Sequence, residues 1–339
     1  MELRKVISEA LFHHPAKDFA LTPVSCEIRF DPLTGKRSRI IPFRSPKLPH
    51  HDWTPYVEES RQRFCPFCPE NLPKSTPRFP QEMVPGGHLK WGQAVVVPNL
   101  SPYDTYAAVT VMSPEHYLPI PALNSKLITE SFRASLEFIK LARSHDPRQA
   151  LYGSIGWNYM PYAGGSLIHP HLQVLCGPLA GAYTEEMIRN SRTYLAEKGR
   201  CIWEDLLETE RERGERYLGQ VGGSHWLASF APRGLADVTA IFPQKCTPED
   251  VEDKDLEELA EGLQKVLRYY EENNIASFNA AFYFAGKEDA GFWCHFRIVG
   301  RYTIYPVVGS DHSHLQVLQD EFWTIYFPEE MAAELKRYF

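Results

Sequence analysis

The chain has 339 residues, a formal net charge of −7, and 43% hydrophobic residues with an aromatic share of 13%. That supplies a core for two modest domains or one large duplicated one, and the acidic balance excludes a broad basic face for nucleic acid while leaving room for small phosphorylated ligands. No apolar run nears the roughly 18 residues of a membrane span, residues 1–16 lack a signal-peptide core, and seven scattered cysteines do not suggest a disulfide framework. A cytoplasmic protein is expected, with neither nucleic acid nor membrane as partner.

Residues 23–50 read as an extended arm. Glu27-Ile28-Arg29-Phe30 alternates like a strand, residues 31–35 form a turn, and the extended run resumes at 39–43. Arg44 and Lys47 follow in a Pro-rich segment and, taken alone, are ordinary surface cations. Cys65-Pro66-Phe67-Cys68 then opens a Pro-rich loop that runs to Pro85. Two cysteines at this spacing make a redox dithiol or half of a metal site. A redox pair would open a helix after a strand, and the surrounding prolines favour metal, which needs further ligands from elsewhere.

Strands are predicted over 94–99, ending at Asn99, and over 107–112, ending at Ser113-Pro114-Glu115-His116. Apolar positions near a 3.6 period predict a helix over 125–143, with Asn124 or Ser125 as N-cap. Another strand over 151–157 ends at Asn158. Gly164-Gly165-Ser166 follows, then His169-Pro170-His171-Leu172-Gln173. In a strand His169, His171 and Gln173 would share one face, with Pro170 at the strand's start or on an edge. A His-x-His pair on its own is most often an unremarkable strand end.

Residues 184–218 are charged and helical in pattern, and the acidic-basic run from 208 to 216 reads as a solvated helix face. The plan then repeats. Strands over 226–230 and 237–243, a helix over 253–273, and strands over 278–284 and 292–299 mirror the first unit, over about 70 residues against about 77. Overlaid on the first copy, Trp293 falls on His169 and His295 on His171. This predicts an internal duplication with one working and one decayed site.

Taken together, Cys-x-x-Cys, Ser-Pro-Glu-His, Gly-Gly-Ser and His-Pro-His-x-Gln occur in the order that resembles the galactose-1-phosphate uridylyltransferases of the histidine-triad superfamily. The resemblance covers residue 27 to the C-terminus, strongly over 94–175 and weakly beyond 275. It implies an α+β, internally duplicated fold of two mainly antiparallel half-barrel sheets with flanking helices, divided into halves 1–180 and 181–339. It makes Cys65, Cys68, His116 and His169 ligands of one structural Zn²⁺ per chain, a closed tetrahedral set. His171 becomes the nucleophile that takes a nucleotidyl group from a nucleotide sugar and passes it to a second phosphate acceptor. Ser166, Gly164 and Gly165 would meet the phosphates, Asn99 and Asn158 the nucleoside and phosphate, and Arg44 and Lys47 would reach phosphates, partly across a homodimer interface.

Gln173 stands where histidine-triad hydrolases have a third histidine. An amide holds phosphoryl oxygens but cannot protonate a leaving group, so transfer to a phosphate suits it better than hydrolysis. In the tail, Phe322 and Tyr326 match hexose-contacting positions, but Glu321 replaces a lysine and Phe327 a glutamate that grips the sugar. A second metal site of some members would retain His295 while Trp293 displaces another ligand. The expected activity is therefore hexose-1-phosphate uridylyl transfer. The alternatives are adenylyl transfer from ADP-glucose to inorganic phosphate and a catalytically silent nucleotide-binding zinc protein.

Overall fold

A computed structural model of the chain describes residues 1–41, 47–289, 291–302 and 310–339. In chain order, β1 (Lys5–His14), β2 (Ala20–Phe30) and β3 (Arg37–Ile40) precede helices α1 (Thr54–Arg61) and α2 (Leu72–Ser75). The first repeat is β4 (Leu89–Trp91), β5 (Ala94–Pro98), β6 (Tyr106–Val111), α3 (Ser125–His145), β7 (Tyr152–Tyr159) and β8 (His171–Gly177). Helices α4 (Ala182–Lys198) and α5 (Ile202–Arg213) lead to the second, β9 (Tyr217–Val221), β10 (Ser224–Ala228), β11 (Leu235–Ile241), α6 (Asp253–Glu272), β12 (Ser277–Tyr283) and β13 (His295–Arg301). Helix α7 (His314–Gln319), β14 (Phe322–Thr324) and α8 (Pro328–Leu335) complete the chain.

The repeats meet in one sheet of order β4-β5-β6-β8-β7-β12-β13-β11-β10-β9, in which each half reads the same from its own edge. The two half-barrel sheets are thus joined along a seam, β7 against β12, with Gly156 opposite Ala281 and Asn158 opposite Asn279. A four-stranded sheet, β1-β2-β3-β14, stands apart.

Helices α3 and α6 cover one face of the large sheet. Helix α3 starts where Asn124 accepts the Leu127 N–H at 3.0 Å, an N-cap that satisfies a donor the first turn leaves free. Its Phe132 ring meets Phe282 and Phe296 at 6.4 and 5.8 Å. Helix α6 buries Leu256, Leu259, Leu263, Val266, Leu267 and Tyr270. Its internal Gly262 is explained by Trp226, whose ring would lie 2.2 Å from any Cβ there. Side chains alternate along a strand, so with Phe282 and Phe296 turned to the helices, their odd-numbered neighbours face away. By the register Gly156–Gln173, Asn158–Asn279 and Ala281–Arg297 therefore share the uncovered face.

Four expectations need correction. The N-terminal residues, which carry no clean alternation, pair with a lengthened β2 as a hairpin, Lys5 opposite Arg29 through His14 opposite Ala20. The helical stretch over 184–218 is two helices, because Gly199 takes a left-handed conformation (φ 66°) and ends α4. His169 lies outside β8, which begins only at His171, so the two imidazoles do not share a strand face; Pro170 has no N–H to bring the ladder one step earlier. Finally, the 208–216 run is not all solvated: Glu210 and Arg216 are fully buried and paired at 3.0 Å, because the chain reverses at Gly214 and folds one onto the other.

That pair belongs to a larger network. Glu329 accepts hydrogen bonds from Arg29 at 2.8 and 2.9 Å and from Arg216 at 2.5 Å. Burial alone would raise its pKa, but the two guanidiniums overcome this and hold it at about 2, against an ordinary 4.5. A depressed carboxylate stabilises the fold above its unfolded pKa and loses that contribution as pH falls toward the folded one. Urea unfolding should therefore show stability dropping by up to about 3 kcal/mol between pH 4.5 and 2. Glu210 is shifted upward by burial, so the comparison must be with Glu329→Gln, in which this part of the slope should vanish.

Candidate active site and metal centre

The Cys-x-x-Cys loop, the segment after β6 and the residues before β8 converge. The ligand atoms of Cys65, Cys68, His116 and His169 all lie within 4.8 Å of one another. Cys65 Sγ is 3.6 Å from His169 Nδ1, and Cys68 Sγ is 3.3 and 3.8 Å from Nδ1 of His116 and His169. Sulfur and nitrogen bound tetrahedrally to a common zinc ion at about 2.3 and about 2.05 Å would be about 3.6 Å apart, so the set fits such an ion. The outer ring nitrogens are engaged as ligand histidines require. His169 Nε2 donates to the Ser113 carbonyl at 2.8 Å, and His116 Nε2 lies 3.0 Å from Ser60 Oγ. The first of these bonds fixes the tautomer that leaves His169 Nδ1 free to ligate.

Local backbone holds the thiols in place. Asn71 Nδ2 donates to the Cys65 carbonyl, and the N–H groups of Asn71 and Leu72 both donate to that of Cys68, each at 2.9 Å. Burial lowers the pKa of His169 to about 4, keeping it neutral. Burial and the adjacent Cys65 raise that of Cys68, a cost that a cation would reverse by favouring the thiolates. Among the described residues this is the one cluster of three or more metal-ligating side chains.

His171 opens β8 and is 92% buried, with 8% of its surface exposed. Its Nδ1 lies 2.8 Å from the His169 carbonyl. A carbonyl only accepts, so Nδ1 carries the hydrogen and Nε2 keeps its lone pair. Burial also lowers the His171 pKa, which favours the neutral ring. Phe67, between the two cysteines, packs at 5.4 Å from it. That phenyl was in plain view inside the cysteine motif, but only the thiols there advertise chemistry.

Before β8 the chain is held tightly. Met160 adopts φ 68°, ψ 166°, a region almost reserved for glycine and costing of order 1–3 kcal/mol. Gly164 is left-handed at φ 82°, and a Cβ on Gly165 would meet the carbonyl oxygens of Asn158 and Met160 at 3.3 and 3.4 Å. Ser166 and Gly164 are exposed. The turn thus presents backbone and a hydroxyl to solvent beside β7.

The remaining predicted residues fall as follows. Gln173 sits on the uncovered face opposite Gly156. Asn158 Oδ1 accepts from Asn279 Nδ2 at 2.7 Å. Asn99 continues β5, with Oδ1 accepting the Ser101 N–H at 2.9 Å. Lys47 is exposed, and Arg44 lies outside the described residues. Phe322 packs under the Arg233 guanidinium, 4.2 Å from its ring centre, in a cleft of about 240 Å³ that Asn279, Arg297, Arg301 and Trp323 also line. Tyr326 packs against the main core. Glu321 is buried between Arg37 and Arg39. Asn279 and Arg301 were missed because nothing in the second repeat's sequence marks them as reaching the first.

The second copy keeps the frame of the first and loses the opening. His295 begins β13 as His171 begins β8, and its Nδ1 lies 3.1 Å from the Trp293 carbonyl. Its Nε2, however, is buried with no hydrogen-bond partner among the described residues, against Trp203 and Tyr283 at 4.6 and 4.8 Å, and burial lowers its pKa to about 3. Arg297, at the place of Gln173, is bound to Asp237 at 2.6 Å.

Known proteins bear on this geometry. No family model matches the chain. An uncharacterized protein from Archaeoglobus fulgidus is 32% identical over 310 residues, covering 91% of each chain. The chain belongs to the family of that protein. The family's fold is that of the uridylyltransferase type. An Arabidopsis thaliana ADP-glucose phosphorylase with bound ADP-glucose superposes with a TM-score of 0.69 at 16% identity, over 92% of this chain and 98% of that one. A uridylyltransferase superposes with 0.67 at 20% identity, over 92% and 97%. The expected resemblance is borne out, and this family is a divergent branch of that fold. No helix among the described residues is long and apolar enough to cross a membrane.

Proposed function

We propose that the protein is a nucleotidyltransferase that moves a nucleoside monophosphate between a nucleotide sugar and a phosphate-bearing acceptor through His171. The observation that carries this is the Nδ1 hydrogen bond to the His169 carbonyl, which leaves Nε2 as a neutral nucleophile. Nε2 attacks the α-phosphorus; a P–N bond forms as the P–O bond to the sugar phosphate breaks, and the sugar phosphate leaves with the bonding electrons. A phosphate oxygen of the acceptor then attacks, the P–N bond breaks, and Nε2 recovers its lone pair. Gln173 steadies phosphoryl oxygens without supplying a proton, and Ser166 with the N–H groups of Gly164 and Gly165 binds the phosphates. Asn99 lies toward the nucleoside. A zinc ion held by Cys65, Cys68, His116 and His169 would tie the Pro-rich loop to the start of β8, a structural task.

Arg44 and Lys47 reach phosphates, partly across a homodimer interface, and Phe322 and Tyr326 contact the hexose. Supporting a dimer, β1 is an edge strand with no second strand partner among the described residues, and it exposes Ile7 and Leu11 at 57% and 60%, an apolar edge of the kind proteins otherwise cover. Ile7→Glu combined with Leu11→Glu should halve the mass measured by sedimentation without lowering the melting temperature. An unchanged mass would place the interface elsewhere.

Adenylyl transfer from ADP-glucose to inorganic phosphate is the second reading. Glu321, in the hexose-contacting segment where a lysine would stand, is instead committed to Arg37 and Arg39, and inorganic phosphate as acceptor needs no hexose pocket. The test is to incubate the protein with UDP-glucose or ADP-glucose labelled at the α-phosphorus, quench in alkali, and look for an acid-labile adduct. The nucleotide that labels chooses between the readings, and labelling by neither would leave a silent nucleotide-binding protein.

A further inference from the structure

An asparagine amide does not by itself declare which end is oxygen, but the partners of Asn279 do. The Arg301 guanidinium can only donate, and its Nη1 lies 2.7 Å from Asn279 Oδ1. The Ala163 carbonyl can only accept, and it lies 2.8 Å from Asn279 Nδ2. Two partners of opposite and fixed sense thus pin the amide. The second hydrogen of Nδ2 goes to Asn158 Oδ1 at 2.7 Å. Asn158 is fixed in turn, with its own N–H₂ group directed away from Asn279, and no hydrogen-bond partner takes that group among the described residues. Arg301 is itself held by Asp311, with Nε 2.9 and 2.8 Å from the two carboxylate oxygens, and both side chains are about nine-tenths buried.

We infer that Arg301 and Asn279 are positioning residues for the site in the first half, aiming the Asn158 N–H donors at the phosphoryl oxygens of a bound nucleotide. The inference rests on the nucleotidyl-transfer reading. Turned the other way, Asn158 would set a carbonyl oxygen against an anion. The same Asn279 nitrogen also anchors the Ala163 carbonyl, one residue before the Gly-Gly-Ser turn. The pseudo-equivalent pair across the seam is Ser154 and Tyr283, which cannot relay polarity in this way. The second half, whose own copy is closed over His295, thus contributes a sense of direction to the first.

Binding of ADP and of UDP, each measured by calorimetry, tests this with a double-mutant cycle. Asn279→Leu, neutral and close in size, should weaken the nucleotide that binds by about tenfold or more, the worth of a hydrogen bond to a charged group. In an Asn158→Ala background the same change should cost several-fold less, the remainder being its hold on the Ala163 carbonyl. Equal losses in both backgrounds, or no loss in either, would overturn the inference while leaving nucleotide binding intact. Binding of neither nucleotide to the unmodified protein would remove the functional reading and this inference with it. If Asn279→Leu does not fold, Arg301→Leu with Asp311→Leu takes its place in the same cycle. A smaller coupled loss is then expected, since the Ala163 carbonyl still orients Asn279.

Discussion

His171→Ala should abolish the acid-labile nucleotidyl adduct and lower turnover by about four orders of magnitude or more, the scale seen when a covalent nucleophile is removed. The matching change in the second copy, His295→Ala, should leave labelling intact, because that ring is sealed against Trp203 and Tyr283. The pair of variants separates chemistry from scaffolding, since both histidines open equivalent strands and hydrogen-bond back to the residue two positions earlier. If His171→Ala still labelled, or if His295→Ala alone stopped labelling, the nucleophile would be misassigned. Removing a buried aromatic contact at His295 should show instead in the melting temperature.

Cys65→Ser should reduce bound zinc from about one ion per chain to a small fraction and cost several kcal/mol of stability, because binding to such a set is largely folding energy. For a chain of this size that is a fall in melting temperature of about 10 °C. His116→Ala should act in the same direction. Its ring is tied to the shared cluster through Cys68 and to α1 through Ser60, so its loss frees two segments at once. Metal analysis and a thermal melt read both variants. Full occupancy with an unchanged melt would mean that the four residues hold no ion.

Much of this was readable in the chain. The paired strands and long helices of the two repeats follow from apolar periodicity. The order of Cys65, Cys68, His116 and His169 anticipated a cluster that the fold assembles from three separate segments. Three things were not readable, each for a physical reason. Residues of β1 lack alternation because nearly every one of them is exposed, whichever way it points, so no pattern of burial is imposed on them. Glu210 and Arg216 look like helix-surface charges because only tertiary folding brings Glu329 and Arg29 to them. Asn279 and Arg301 matter through a strand pairing across the repeats, and such a pairing leaves no mark on local sequence.

The β7–β12 seam has a kinetic consequence. It joins Asn158 to Asn279, 121 positions apart, so the middle of the sheet depends on one of the chain's longer loop closures. Long-range antiparallel pairing is slow because loop entropy must be lost before any contact compensates it. Each repeat can settle its own five strands first, and until the seam closes each then displays a raw inner edge able to pair with another chain. Refolding should accordingly be slow and concentration-sensitive, with aggregation competing at the seam, and the candidate site beside the seam should be among the last parts of the molecule to form.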